Sequence, residues 1–381
     1  MAMRVEASLI AVGRSRSIRL AAIAFVLLFV GWRWDRVTGF TGLPRFGEDL
    51  KERRLPALQT LPIKDSPHSG YDGQFYAQIA VEPNVTSPDL GRALDKPSYR
   101  PRRILLPLLA HGFGAGRPWV VLQIYALLNT AAWLWLAAVF WRLLPREDWR
   151  HTVAWLGAML SVGALDSVRL ALTDLPGALL LVLATSAMER GRERIAAVWV
   201  LLAGFTREIS VAAALLVRSA AGPRRTFILR AVSTGPVLLW CAWLAWRLPG
   251  PVGHEGNIDW PGFAFLRQLQ SNLRLVFAGD FNPLVVFGVL GGLGLAAQSV
   301  YVLSHWRLFA TNPWVRMALP FAVLFWLIGA DPWLDYRAVA RDCLPMTLVF
   351  NLLWARRADA NPLWLLANVI VIDGVIRMTP P

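Results

Sequence analysis

Cysteine is nearly missing from this chain: Cys241 and Cys343 are the two in 381 residues. They fall in separate apolar segments, with no His or second Cys at ligand spacing, so neither a disulfide framework nor a zinc site is expected. Lysine is almost as scarce, with Lys51, Lys64 and Lys96 all between the first apolar segment and the next. There is no glycine-rich nucleotide loop, no Gly-x-Ser-x-Gly and no His-Glu-x-x-His. Soluble nucleotide-using and zinc-hydrolase readings lose their usual support. No internal repeat of the kind many transporters carry stands out.

What the chain has in excess is apolar sequence: 56% of residues are hydrophobic and the mean hydropathy is +0.45. The apolar stretches recur along nearly the full length, and several approach the roughly 20 residues that a membrane helix needs. Helices satisfy their own backbone hydrogen bonds in lipid, so the expected class is an all-α polytopic membrane protein, one integral domain over 1–381. The 19 tryptophans fit, since Trp collects at membrane–water boundaries. A net charge of +14 raises the question of nucleic acid. Arginines between apolar segments instead set topology and meet anionic headgroups, so the bilayer is the expected partner and nucleic acid is not.

The first apolar run, 18–32, follows Arg14, Arg16 and Arg19 and leads into Trp32-Arg33-Trp34 without a small-residue cleavage site. It reads as an uncleaved signal anchor with a cytoplasmic N-terminal tail. Further segments are 118–141, 152–170, 172–188, 195–217, 231–247, 283–303, 315–330, 339–355 and 362–378. Basic flanks bracket 195–217 on both sides, yet its middle carries Arg207 and Glu208. A charged pair in mid-bilayer costs several kcal/mol, so two short helices with Thr206-Arg207-Glu208 at the apex are expected. The count becomes about eleven crossings, N-terminus inside and C-terminus outside. It places Asp72, Asp174, Arg207-Glu208, His254-Glu255 and Asp331 through Arg341 on the outer side. Five separate connections then agree on one face.

The long loop 33–117 is the expected site. Tyr71, Phe75 and Ile79 recur every four residues, which suggests a short interfacial helix with Asp72 and Tyr76 on the neighbouring stripe. Ser69-Gly70-Tyr71-Asp72 also fits a helix cap, the plainer role for that acid. Arg100-Pro101-Arg102-Arg103 leads into 104–109, too short to span and suited to a surface or re-entrant helix that presents Arg102 and Arg103 to a phosphate. Asp174 stands where a helix begins, and an acid there complements the dipole. Asp335 and Arg337 belong to a last charged outer loop that either pairs internally or binds a pyrophosphate or sugar. Nothing demands a metal, although Asp72 with Glu82 or Asp335 offers a carboxylate pair for a divalent cation.

These stretches resemble the GT-C superfamily of membrane glycosyltransferases, and most nearly its PIG-V-like mannosyltransferase type. Tyr71-Asp72-Gly73-Gln74-Phe75-Tyr76-Ala77-Gln78-Ile79-Ala80 is similar to that family's Trp-Asp-Gly-x-Trp-Tyr-x-x-Ile-Ala. Leu202 through Glu208 resembles its Leu-Ala-x-x-Thr-Arg-Pro turn, with Glu208 replacing Pro, and Arg103 through Leu109 its Phe-Phe-Pro-Leu-Tyr-Pro region. The resemblance implies an extracytoplasmic, inverting transfer from a polyprenyl-phosphate sugar to a glycan or glycolipid hydroxyl, at the plasma (inner) membrane. Asp72 becomes the general base. Arg102, Arg103, Arg207 and Arg337 become phosphate ligands, Tyr71, Phe75 and Tyr76 sugar or isoprene platforms, and Gln74, Glu208 and Asp335 further substrate contacts. A lipid or lipid-linked sugar flippase is the alternative from another class, and a transferase of preassembled glycans a third.

Overall fold

The computed structural model describes residues 2–145, 148–248 and 257–379. The expected outer pair His254-Glu255 lies outside the described residues. The described residues are nearly all helical, and the one sheet among them pairs Phe46–Gly47 with Asp65–Ser66 in parallel, Phe46 opposite Asp65 and Gly47 opposite Ser66. Among the described residues, four helical stretches are long and apolar enough to cross a membrane: Ser15–Trp32, Pro118–Leu143, Pro223–Arg247 and Pro283–Ser304. They mark a membrane protein. Helix Pro223–Arg247 shows why: along it Phe227, Leu239 and Trp246 project outward from a largely unburied surface. An apolar face of that length is stable only against hydrocarbon or a partner.

The residues cluster into two compact units, each discontinuous in sequence. One comprises Met1–Phe29, Trp133–Leu165 and Gly256–Pro381, the other Val30–Ala132 and Asp166–Glu255.

In the first unit, helix Pro283–Ser304 packs on Phe263–Phe277, Pro313–Leu327 and Leu344–Arg356. Small residues allow the approach: a Cβ at Gly291 would lie 2.2 Å from the Tyr336 ring, the familiar device of membrane helix contacts. Beneath, a buried polar chain links Thr347 Oγ1 to Gln298 Oε1 (2.7 Å) and Asn368 Nδ2 to Asn351 Oδ1 (2.8 Å). The expected segments 152–170 and 339–355 are each interrupted, into Trp149–Met159 with Val162–Arg169 and into Tyr336–Asp342 with Leu344–Arg356. Segment 362–378 begins as a 3₁₀ helix, Pro362–Val369, before Ile370–Met378. Helix Phe263–Phe277 was not expected.

In the second unit, Asp174–Glu189 and Glu193–Thr206 pack as a hairpin, and Pro223–Arg247 lies against the latter. The segment expected over 195–217 is broken at its charged middle. Helix Glu193–Thr206 stops at Arg207, whose backbone is extended (φ −154°, ψ 116°), and Glu208–Leu216 continues as a 3₁₀ helix. The loop region 33–117 folds into short pieces, chiefly Gly73–Val81 and Leu105–Phe113, which pack on each other.

Candidate active site

Helix Gly73–Val81 starts immediately after Asp72 and departs from the half-exposed interfacial helix expected, because all nine of its residues are buried. Its two glutamines make this affordable. Gln74 accepts from the Gly47 amide (3.0 Å) and donates to Ser69 O (2.7 Å), while Gln78 accepts from the Leu55 amide (3.1 Å) and donates to Ala93 O (3.3 Å). Buried amides so satisfied cost little. Gln74 thus splices the loop to its neighbours rather than facing a substrate.

Asp72 occupies the cap position, yet its side chain caps nothing. It pairs with Arg100 instead, Nη1 to Oδ2 at 2.7 Å and Nη2 to Oδ1 at 2.8 Å. The same guanidinium holds Asp95, Nε to Oδ1 at 2.8 Å and Nη2 to Oδ2 at 2.7 Å. The Phe75 ring lies 4.9 Å beneath it, a cation–π shelf. Arg100 is 8% exposed and Asp72 40%, so a buried cation presents an accessible carboxylate. Burial opposes the charge on Arg100, but Tyr76 and the two carboxylates outweigh it and hold its pKa well above the ordinary value.

Arg103 turns the same way. It forks onto Glu208, Nε to Oε2 at 2.9 Å and Nη2 to Oε1 at 3.0 Å, and donates to Tyr76 Oη (2.8 Å) and to Tyr99 Oη. Residues Arg100–Arg102 form a 3₁₀ turn, in which positions three apart eclipse. Arg100 and Arg103 therefore point inward together, and Arg102, half-buried over the Tyr99 ring at 5.3 Å, points elsewhere. Trp240 fixes the turn by donating to Pro101 O (3.0 Å). Arg207 pairs with Asp174, so that acid does more than complement a helix dipole.

Several expected ligands are therefore committed within the protein. Phe75 and Tyr76 support arginines and are buried; of the three aromatics only Tyr71 is partly open. Arg103 and Arg207 each hold a carboxylate. Asp335 and Arg337 belong to the other unit and pair with each other, Nη2 to Oδ2 at 2.6 Å, with Asp335 also capping helix Tyr336–Asp342. Glu82 ends the helix that Asp72 begins, about 15 Å along at 1.5 Å per residue, so those two acids cannot share a cation. Among the described residues no three His, Cys, Asp or Glu groups are placed to hold a metal.

Arginines that sequence reasoning passed over surround the same helix start. Gly73 sits so close to Leu170 O and Pro44 O that a Cβ would lie 2.2 and 2.9 Å from them. The neighbours of those residues, Arg169 and Arg45, are thereby brought to the Asp72 end. Arg33 reaches in by donating to Gly42 O (2.7 Å). Arg169 pairs with Asp166 (2.8 Å). Burial first, then repulsion by Arg45 and Arg169, holds Arg33 below its ordinary pKa, and burial with Arg169 does the same to Arg45. Three arginines against one acid make a local positive excess. Left-handed non-glycine backbone gathers here too, at Arg45 (φ 57°), His68 (φ 56°) and Ala171 (φ 49°), the kind of strain that concentrates at functional sites. No motif marks these residues: Arg33 and Arg45 come from the start of the first loop, and Arg169 from the end of Val162–Arg169, far along the chain.

No family model, curated protein or solved structure matches the chain.

Proposed function

We propose that this protein is a membrane glycosyltransferase of the GT-C kind. It moves a sugar from a polyprenyl phosphate to a glycan or glycolipid hydroxyl on the outer side of the plasma membrane. About eleven crossings, counting the paired short helices on either side of Arg207, complete the bundle. The observation that carries the reading is the accessible Asp72 carboxylate held by buried Arg100, with the Arg33–Arg45–Arg169 cluster at the same helix start. Asp72 and Asp95 share one guanidinium, so that corner keeps a negative excess suited to a proton. The arginine cluster keeps a positive excess suited to a phosphate.

In the reaction, an acceptor hydroxyl gives its proton to Asp72 as its oxygen attacks the anomeric carbon. The bond from that carbon to the phosphate oxygen breaks, configuration inverts, and lipid phosphate leaves. The leaving charge falls first to Arg33 and Arg45, because Arg103, Arg207 and Arg337 already serve carboxylates and Arg169, beside them, is shared with Asp166. Stabilising that charge is usually the larger contribution to rate, and general-base assistance adds about 10²–10⁴-fold.

Membranes carrying the protein, supplied with radiolabelled polyprenyl-phosphate mannose and endogenous acceptors, test the reading. Asp72→Asn should insert normally and lose at least about 10²-fold of transfer. Arg45→Gln should raise the donor KM about tenfold with acceptor choice unchanged. Full transfer by the Asp72 variant, or lipid movement across vesicles without sugar transfer by the native protein, would overturn it.

A further inference from the structure

The first unit contains an open apolar groove of about 990 Å³ along helix Pro283–Ser304. Leu290, Leu293, Leu156, Trp364, Leu366 and Ile372 line it. Leu293, Leu366 and Ile372 are exposed, so the lining is not closed by the protein's own side chains. The volume is at the top of the range for small-molecule sites, roughly 300–1,000 Å³.

Two arginines lie just beyond one end of the groove, whose own lining carries no charged side chain. Val153 and Asn361 line that end, and Arg150, one turn before Val153, donates to the carbonyls of Arg357 (2.7 Å), Ala358 (2.8 Å) and Ala360 (3.1 Å). Those three bonds are to neutral carbonyls; Asp359, carried by the same loop, pairs with Arg357 (2.9 Å) and lies within electrostatic reach of Arg150, so two guanidiniums face one carboxylate and a positive excess remains. Its Nε is buried and meets no acceptor among the described residues. The Trp354 ring lies 4.5 Å beneath it, and Trp149 packs edge-on against Trp354. Arg357 sits beside it, bonded to His305 (2.9 Å) just past the end of the spanning helix Pro283–Ser304. Arginine and tryptophan at the end of a spanning helix mark a headgroup level. A cation at the headgroup level with an apolar trough running from it along a membrane helix has the shape of one amphiphile.

We infer that this groove binds an anionic glycerophospholipid of the surrounding bilayer, an acyl chain along helix Pro283–Ser304 and its phosphate against Arg150. The site lies within one unit, uses none of the residues assigned to sugar transfer, and stands whether or not that reading holds.

The test uses the full-length protein, delipidated in detergent and re-equilibrated with equal amounts of chain-matched phosphatidylglycerol and phosphatidylcholine. Native mass spectrometry then reads the retained lipid. The native protein should keep phosphatidylglycerol with about a fivefold preference, the effect of one well-placed cation. Arg150→Lys should keep most of that preference and Arg150→Gln should bring the ratio to about one. Since Arg150 also braces residues 357–360, a second variant tests the trough alone. Ala297→Phe, which adds bulk to the lining, should lose both lipids while melting like the native protein. Equal retention of the two lipids by the native protein, or undiminished retention by Ala297→Phe, would overturn the proposal. So would displacement of phosphatidylglycerol by an equimolar polyprenyl phosphate.

Discussion

Glu208 is where charge, burial and stability meet in a single side chain. Burial alone would raise its pKa, but Arg103, by charge and two hydrogen bonds, and then Arg207 hold it well below the usual carboxylate range. Removing one member of a buried pair strands the other, at a cost of about 3 kcal/mol or more. Glu208→Ala should therefore lower the melting temperature of the detergent-solubilised protein clearly, and Arg103→Met with Glu208→Leu should recover most of the loss. The acid dependence follows in sign. A depressed folded pKa contributes stability that is complete above the unfolded value, near 4.5, and lost as pH falls toward the folded one. Below about pH 4.5 the native protein should destabilise more steeply than Glu208→Gln. The importance of this region was legible in the arginine run and in the charged pair of Thr206-Arg207-Glu208. Which arginine serves which acid was not, because Arg100 and Arg103 separate from Arg102 only through the turn made at Pro101. Asp95 and Tyr99 carried no signal, since their roles exist only once that turn is made.

The helix that follows Asp72 owes its position to a glycine. Gly73 lies against backbone carbonyls on two sides, and backbone cannot yield as a flexible side chain can. Gly73→Ala should push the helix start away from Leu170 and cost about 1–3 kcal/mol. It should also reduce sugar transfer by displacing Asp72, whereas Asp72→Asn, which leaves Arg100 its Asp95 partner, should lower melting less than Gly73→Ala while abolishing more of the transfer; the two readouts separate placement from chemistry. The Asp-Gly dipeptide was thus visible in the sequence for a reason that the structure makes mechanical. The break at Arg207 was visible as well, because a charged pair has few places to sit in a membrane segment. Other breaks were silent. Gly163, just after the break at Met159, packs within 2.6 Å of Ala340 O by its would-be Cβ, a contact no local pattern announces. Helix Phe263–Phe277 is not a continuous apolar run, because Arg267, Gln268, Gln270, Asn272 and Arg274 break it in sequence while lying away from its apolar face.

Across the described residues, four long apolar helices coexist with many shorter ones, and short helices survive in lipid only where neighbours satisfy their ends. The Arg207 apex is such a case: Asp174 and Arg103 meet the charges exposed where one helix stops and the next begins. For the proposed chemistry, the loop bearing Asp72 must face away from the cytoplasm while the basic connection 189–194 faces it. Both native cysteines can be removed, since Cys343 is buried in an apolar segment and Cys241 is half-buried. In a Cys241→Ala, Cys343→Ala background, Asp89→Cys offers an exposed reporter whose loss from the i,i+3 pair with Arg92 costs little. A membrane-impermeant thiol reagent should label it in intact cells, and should label Arg190→Cys only after permeabilisation. The reverse pattern would put the Asp72 loop in the cytoplasm, where a lipid-phosphate donor presented outside could not reach it.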